Sequence, residues 1–231
     1  MSDLALNDQF GLFKEFYGRN NEQMPKLVEE GRTPLSVAGL MQRRLEVLAG
    51  SSDDMKTAWW DNYFDTGDGV FYHPNGNVKI VLGAQPIRDL TVDTPLSYGA
   101  LMLNKDRDES VAAYEALDGA EFSRSQLEKY VGKFLTKYEA KNHPVWEVLA
   151  GGDQALLNAY VDAAFAEIEK RFGNEKNMDV HIASPLDVAA GRLWLVGTFR
   201  SAAMGLNDIG YSDGRLIGVA PGALSQNEKK K

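Results

Sequence analysis

Three aspartates and a histidine fall in one short stretch of this 231-residue chain: Asp61, Asp65, Asp68 and His73. Hard cations favour several carboxylate oxygens, so Asp61, Asp65 and Asp68 are a candidate divalent-metal set. His73 could join them or act as a general base. The spacing is not that of an EF-hand loop, which needs alternating acids and a distal Glu. The same stretch carries Trp59, Trp60, Tyr63 and Tyr72. Large rings beside carboxylates are typical anchors of recognition surfaces.

Two readings follow. In the first, the protein is non-catalytic and binds a ligand or protein partner. Its surface would be aromatic and acidic, near residues 59–75, built from Trp59, Trp60, Asp61, Tyr63, Asp65, Asp68, Tyr72 and His73. In the second, it is a metal-assisted hydrolase or transferase using Asp61, Asp65, Asp68 and His73. Whether there is catalysis at all stays open. A plainer role exists for each polar residue: Asp61 at a helix end, Asp65 and Asp68 in Asx-turns, His73 beside a hairpin turn.

Other motifs add little chemistry. Asp65-Thr66-Gly67 spells the aspartic-protease triplet. That reaction needs two such aspartates sharing a proton, and the chain has no second triplet, so a homodimer would be required. Thr66-Gly67-Asp68, then Pro74-Asn75-Gly76-Asn77, then Gly83 resembles a segment of the acyl-adenylating enzymes over about eighteen positions. The resemblance implies that Asp68 would hold the ribose of ATP. The Ser/Thr/Gly-rich phosphate loop of that family is missing, and the chain is shorter than that fold requires. The shared spacing therefore supports a strand–turn–strand hairpin rather than adenylation. No Walker A loop or dinucleotide fingerprint occurs.

A third reading is a winged-helix-like DNA binder, with Leu35–Leu48 as recognition helix, carrying Gln42, Arg43 and Arg44, and the 74–77 turn as wing. The net charge of -8 disfavours nucleic acid, because phosphate affinity comes from Lys and Arg. Arg43 and Arg44 are more simply a wet face opposite Leu40, Met41 and Leu45. His143 and His181 stand apart from any pattern that marks a nucleophile system. Tyr98-Gly99 and Met204–Tyr211 are loops in which polar and aromatic groups gather, and such loops are common sites of function.

The elements that must position these residues come in blocks. Helical spacing is expected over Asp8–Tyr17, with Phe10, Phe13, Phe16 and Tyr17 on one face. Further helices are expected from Thr33-Pro34 to Gly50 and from Ser51 to Trp60. Adjacent helical residues point about 100° apart, so only one of Trp59 and Trp60 is expected to face the core fully. Val70–Tyr72 and Val78–Leu82 form a hairpin around Asn75-Gly76, which supplies positive φ. Ala100–Leu103 follows as a strand. Helices return at 104–118, 123–138 (with a Ser123/Gln126 capping box) and 154–172, ended by Gly173. Strands close the chain at 178–183, 192–199 and 215–220.

Blocks of helix and strand without regular alternation indicate an α+β fold, with a mixed or antiparallel sheet and helices packed mainly on one face. One domain over 1–231 is expected: N-terminal helices over about 8–60, hairpin region about 69–103, helical block about 105–172, C-terminal strands about 178–220. The chain has no cysteine, which excludes disulfides, thiolate nucleophiles and iron–sulfur clusters. No stretch approaches the ~20 apolar residues of a membrane span, and no secretory signal pattern opens the sequence. The expectation is a soluble, cytoplasmic protein with no membrane partner. A homo-oligomer is compatible with the sequence. No cofactor is expected beyond a divalent cation at the three aspartates.

Overall fold

The structure is a computed structural model, and it describes residues 4–7, 11–173, 177–198 and 201–221. The chain opens with β1 (Phe13–Tyr17), α1 (Asn20–Glu29), β2 (Thr33–Pro34), α2 (Val37–Gly50) and α3 (Asp53–Trp60). A strand-rich part follows: β3 (Phe64–Tyr72), β4 (Val78–Val81), α4 (Gln85–Arg88), β5 (Leu96–Ser97) and β6 (Ala100–Met102). The helical block holds α5 (Arg107–Glu115), β7 (Ala120–Phe122), α6 (Arg124–Leu127), α7 (Lys137–Lys141), α8 (Pro144–Leu149) and α9 (Gln154–Phe172). The chain then adds β8 (Val180–Ile182), β9 (Ala190–Val196), β10 (Ala203–Gly205) and β11 (Arg215–Val219).

The strands join one mixed sheet whose central order is β1-β11-β3-β9-β10-β8. β11 runs parallel to β3 and β8 parallel to β10, and the other pairings are antiparallel. This is the α+β architecture that the block order indicates. Side chains alternate across the sheet as strand geometry requires. Val70, Tyr72, Trp194, Val196 and Ile217 enter the larger core, under α2, α3, α8 and α9. Phe71, Leu193 and Leu216 enter the smaller core on the other face, with α1, α4 and α5. No helix among the described residues is long and apolar enough to cross a membrane.

Caps explain several boundaries. The side chains of Ser36, Ser52 and Asp153 accept the backbone N–H three residues on, at the starts of α2, α3 and α9. Gly173 closes α9 at φ 61°.

Five expectations need correction. The helix expected from Thr33-Pro34 starts later, because Thr33–Pro34 pairs with β11 as strand β2 and Ser36 caps α2. Residues 13–17 are strand β1, because they pair with β11 and put Phe13 and Phe16 into opposite cores; Asp8 and Phe10 lie outside the described residues. The 123–138 stripe is not one helix. Its capping box forms, but α6 ends at Leu127, and a second box, Thr136 with Glu139, starts α7. Asn75 does not take positive φ; Gly76 alone does, at 94°, in a longer hairpin turn closed by His73 N–H donating to Asn77 O. The strand expected over 192–199 ends at Val196, and Phe199 lies outside the described residues.

The arginines of α2 are a further correction. They are not a wet face: Arg43 is 8% exposed and Arg44 0%. Arg43 lies over the rings of Phe13 and Trp59. Arg44 Nε donates to Trp59 O (2.9 Å), and its two terminal nitrogens donate to Tyr160 Oη (2.8 Å), Asn62 O (3.0 Å) and Gly197 O (2.9 Å). A guanidinium presents five donors in a fixed fork, which suits a cage of neutral acceptors. This burial leaves no recognition helix for DNA. Arg44→Ala is expected to cost about 3–5 kcal/mol in urea unfolding, and Arg44→Lys to recover less than half of that. A loss under about 1 kcal/mol for Arg44→Ala would contradict this role.

Candidate functional site

The aspartates expected to gather do not. Asp61 caps the end of α3 and pairs with Arg171 at the far end of α9. Asp65 and Asp68 are not in a loop; both lie in β3, whose nine residues are all buried. Strand β3 leaves the β9 ladder between Asp65 and Gly69, and Thr66 Oγ1 there donates to Trp194 O (2.9 Å). This bulge explains why the sequence reads as a loop. It turns Asp68 toward α2, where Oδ2 accepts from Val37 N (2.7 Å) and Oδ1 from Gly83 N (2.8 Å). Asp68 is thus a staple between β3, the start of α2 and the turn after β4. Among the described residues no three His, Cys, Asp or Glu side chains are placed to hold a metal ion.

The aromatic candidates are mostly core. Trp59 and Trp60 are both 0% exposed. The end of α3 is covered on two sides, so the 100° between them does not free either ring. Trp59 packs on Phe13 and Phe64 and donates to Leu6 O (3.2 Å). Trp60 stacks on Tyr160 and donates to Arg44 O (3.1 Å). Tyr72 is buried, donates to Gly205 O (2.5 Å), and its hydroxyl is raised well above the ordinary tyrosine range by burial. His73 sits beside the hairpin turn, accepting from Asn75 N (3.0 Å) and packing edge-on against Tyr114.

Tyr63 is the exception: it lines a cavity of about 540 Å³ over the ends of β8, β9 and β10. Register builds its floor. Asp65 pairs with Leu195, Leu195 with Met204, and Met204 with His181, so the four residues form one row across β3, β9, β10 and β8. Leu195, Met204 and His181 face the cavity. Asp65 lies beneath its wall, accepting from Asn207 Nδ2 (2.6 Å) and Arg215 N (2.8 Å). Burial pushes the Asp65 carboxyl up, against the pull of those donors and of the Arg215 charge.

The walls are loops. Tyr211, Asp213 and Gly214 precede β11, and Phe134 comes from the segment before α7. Phe134 is 53% and Tyr211 58% exposed. Tyr63 Oη donates to Asp213 O (2.6 Å), and its ring lies 5.2 Å from the Arg215 guanidinium. Tyr17 Oη donates to Asp213 Oδ1 (3.1 Å). Asp179 is 7% exposed and lines the cavity beside His181, whose Nε2 lies 2.5 Å from Asp179 Oδ2. A carboxylate only accepts, so Nε2 carries the proton. Among the described residues, two of the three non-glycine positions with positive φ precede cavity residues: Met178 (55°) before Asp179 and Ser201 (50°) before Ala202. Each is held from the core, Met178 O by Trp146 Nε1 (2.8 Å) and Ser201 Oγ by Tyr160 Oη (2.9 Å). Such backbone persists only where its surroundings over-determine it.

No family model matches the chain, and no curated protein matches it. One solved structure does match, described as "Accommodation of massive sequence variation in Nanoarchaeota by the C-type lectin fold". The TM-score is 0.66 at 18% identity, over 93% of this chain and 100% of that one. The fold is similar to the C-type lectin fold. Apart from Tyr63, the sequence candidates near residues 59–75 lie outside this cavity, and Asp179 and His181, which line it, are not among them. A usable signal exists: Asp179-Val180-His181 puts both side chains on one face of a strand.

Asp68 provides a test of the staple. Burial raises its carboxyl above the ordinary 3.8, opposed only by the two backbone N–H groups. The folded state then holds this proton more tightly than the unfolded chain. The resulting stabilisation is full below the unfolded value and is lost as pH rises through the folded one. The stability of wild type minus that of Asp68→Asn, from urea unfolding, should therefore shrink as pH rises above the ordinary 3.8. A difference that stays flat or grows would count against a buried, charge-isolated Asp68.

Proposed function

We propose that the protein is a non-catalytic binding protein whose ligand or partner docks in the cavity over β8, β9 and β10. One observation carries this reading: a cavity of about 540 Å³ with an apolar floor, exposed aromatic rims and a few convergent polar groups. That combination is the usual make-up of a binding site. The strained backbone at Met178 and Ser201 supports the same location. An aromatic and acidic surface was the sequence expectation for residues 59–75. Its counterpart is a neighbouring surface that shares only Tyr63 and is completed by Phe134, Asp179, Tyr211 and Asp213.

The fold likeness fits binding. The solved structure is described as a C-type lectin fold that accommodates massive sequence variation. Here the cavity walls are largely loops on a hydrogen-bonded sheet, an arrangement in which wall residues can change while the frame stays. A fragment screen followed by residue-resolved NMR tests the location. Shifts should cluster at Tyr63, His181, Leu195, Met204 and Tyr211. The Phe134→Ala, Tyr211→Ala double variant should weaken the best fragment at least about tenfold while changing stability by less than about 1 kcal/mol. Shifts clustered at the 73–77 turn, or full binding by the double variant, would overturn this assignment.

A further inference from the structure

We propose, resting on the binding reading above, that the cavity takes an organic cation: the ammonium or guanidinium group of a lysine or arginine side chain carried by a partner protein. The key group is Asp179. Its Oδ2 is engaged by His181, and its buried Oδ1 has no hydrogen-bond partner among the described residues. A buried acceptor without a donor is costly, and a donor brought by a ligand recovers that cost. Asp213 adds a second carboxylate to the wall, and no Lys or Arg is among the described lining residues.

Charge selects among possible donors. A hydroxyl would satisfy the hydrogen bond but bring no counter-charge. An anion would meet two carboxylates, and the Nε2–H of His181 is already committed to one of them. A cation satisfies both requirements, and the exposed Phe134 and Tyr211 rings offer faces that attract cations. The chain's net charge of -8 favours the approach of a basic partner.

The surroundings indicate a partner protein rather than a free amine. Arg192 donates to the carbonyls of Tyr98, Leu206 and Asn207, which gathers these residues beside the cavity wall. Tyr98 is 85% exposed at φ 46°, and Leu206 is 45% exposed. A free amine would leave both uncovered, whereas a protein surface placing one basic side chain in the cavity would cover them.

NMR titrations of the full chain separate the outcomes. The probes are Nα-acetyl-lysine methylamide, its norleucine and glutamate counterparts, methyl glucoside and n-butylamine. The lysine probe should saturate the His181, Leu195 and Met204 shifts at least about tenfold more tightly than norleucine. Asp179→Asn should reduce it to the norleucine level. Asp213→Asn, a change at the wall, should weaken it too if Asp179→Asn fails to fold. Norleucine, glutamate or glucoside binding there as tightly as lysine would overturn the cation assignment and leave the binding reading standing. n-Butylamine binding more tightly than the lysine probe would overturn the side-chain assignment. If no probe saturates these shifts, the cation assignment falls, and the fragment screen decides the binding reading.

Discussion

The buried guanidinium of Arg44 is the constraint on which the arrangement depends. It joins α2 to the end of α3 through Trp59 O, to the following turn through Asn62 O, to α9 through Tyr160 and to the end of β9 through Gly197 O. No carboxylate is among its partners in the described residues, so every acceptor is a neutral dipole whose position matters. Two consequences reach the cavity. Gly197, a lining residue, has its carbonyl tied to the core, and Ser201, at positive φ, is held through the Tyr160 hydroxyl. The core thereby holds Gly197, just after β9, and Ser201, just before β10, at the edge of the site.

A division of labour follows between sheet and loops. The row Asp65, Leu195, Met204 and His181 is fixed by strand register. Asp65 then reaches outward to hold Asn207 and the start of β11. Tyr63, Tyr17 and Arg215 clamp the Asp213 segment from below. The residues that meet solvent, Phe134 and Tyr211, stand on this frame and are half exposed. Their replacement disturbs few buried contacts, whereas replacement of Asp65 disturbs the frame.

Much of the fold was legible because caps and periodicity act locally. Ser52 and Asp153 start their helices by side-chain capping, and Gly173 closes α9 at positive φ, whereas the helix start expected at Thr33-Pro34 falls instead at Ser36. What could not be read depends on distant neighbours. Residues 13–17 carry aromatics at spacings that suit a helix, yet β11, two hundred residues away, claims them as a strand. Arg43 and Arg44 have the composition of a wet face, and only the covering of α2 by the N-terminal segment, α3 and α9 reveals their burial. The bulge at Thr66-Gly67-Asp68 hid β3 behind loop-like residues. The candidate site was half legible: its chemistry of rings beside acids was anticipated, but chain proximity pointed to residues 59–75. The cavity draws instead on residues far apart in the chain, around 63, 134, 179–181, 195–198, 202–204 and 207–214.

The central claim is a location, and a crystal structure with the tightest fragment bound tests it directly. The account predicts electron density over the floor formed by Leu195 and Met204, between the Phe134 and Tyr211 rings and close to the Asp179 carboxylate. Density against the 73–77 turn or the outer face of α3, with this cavity empty, would contradict it.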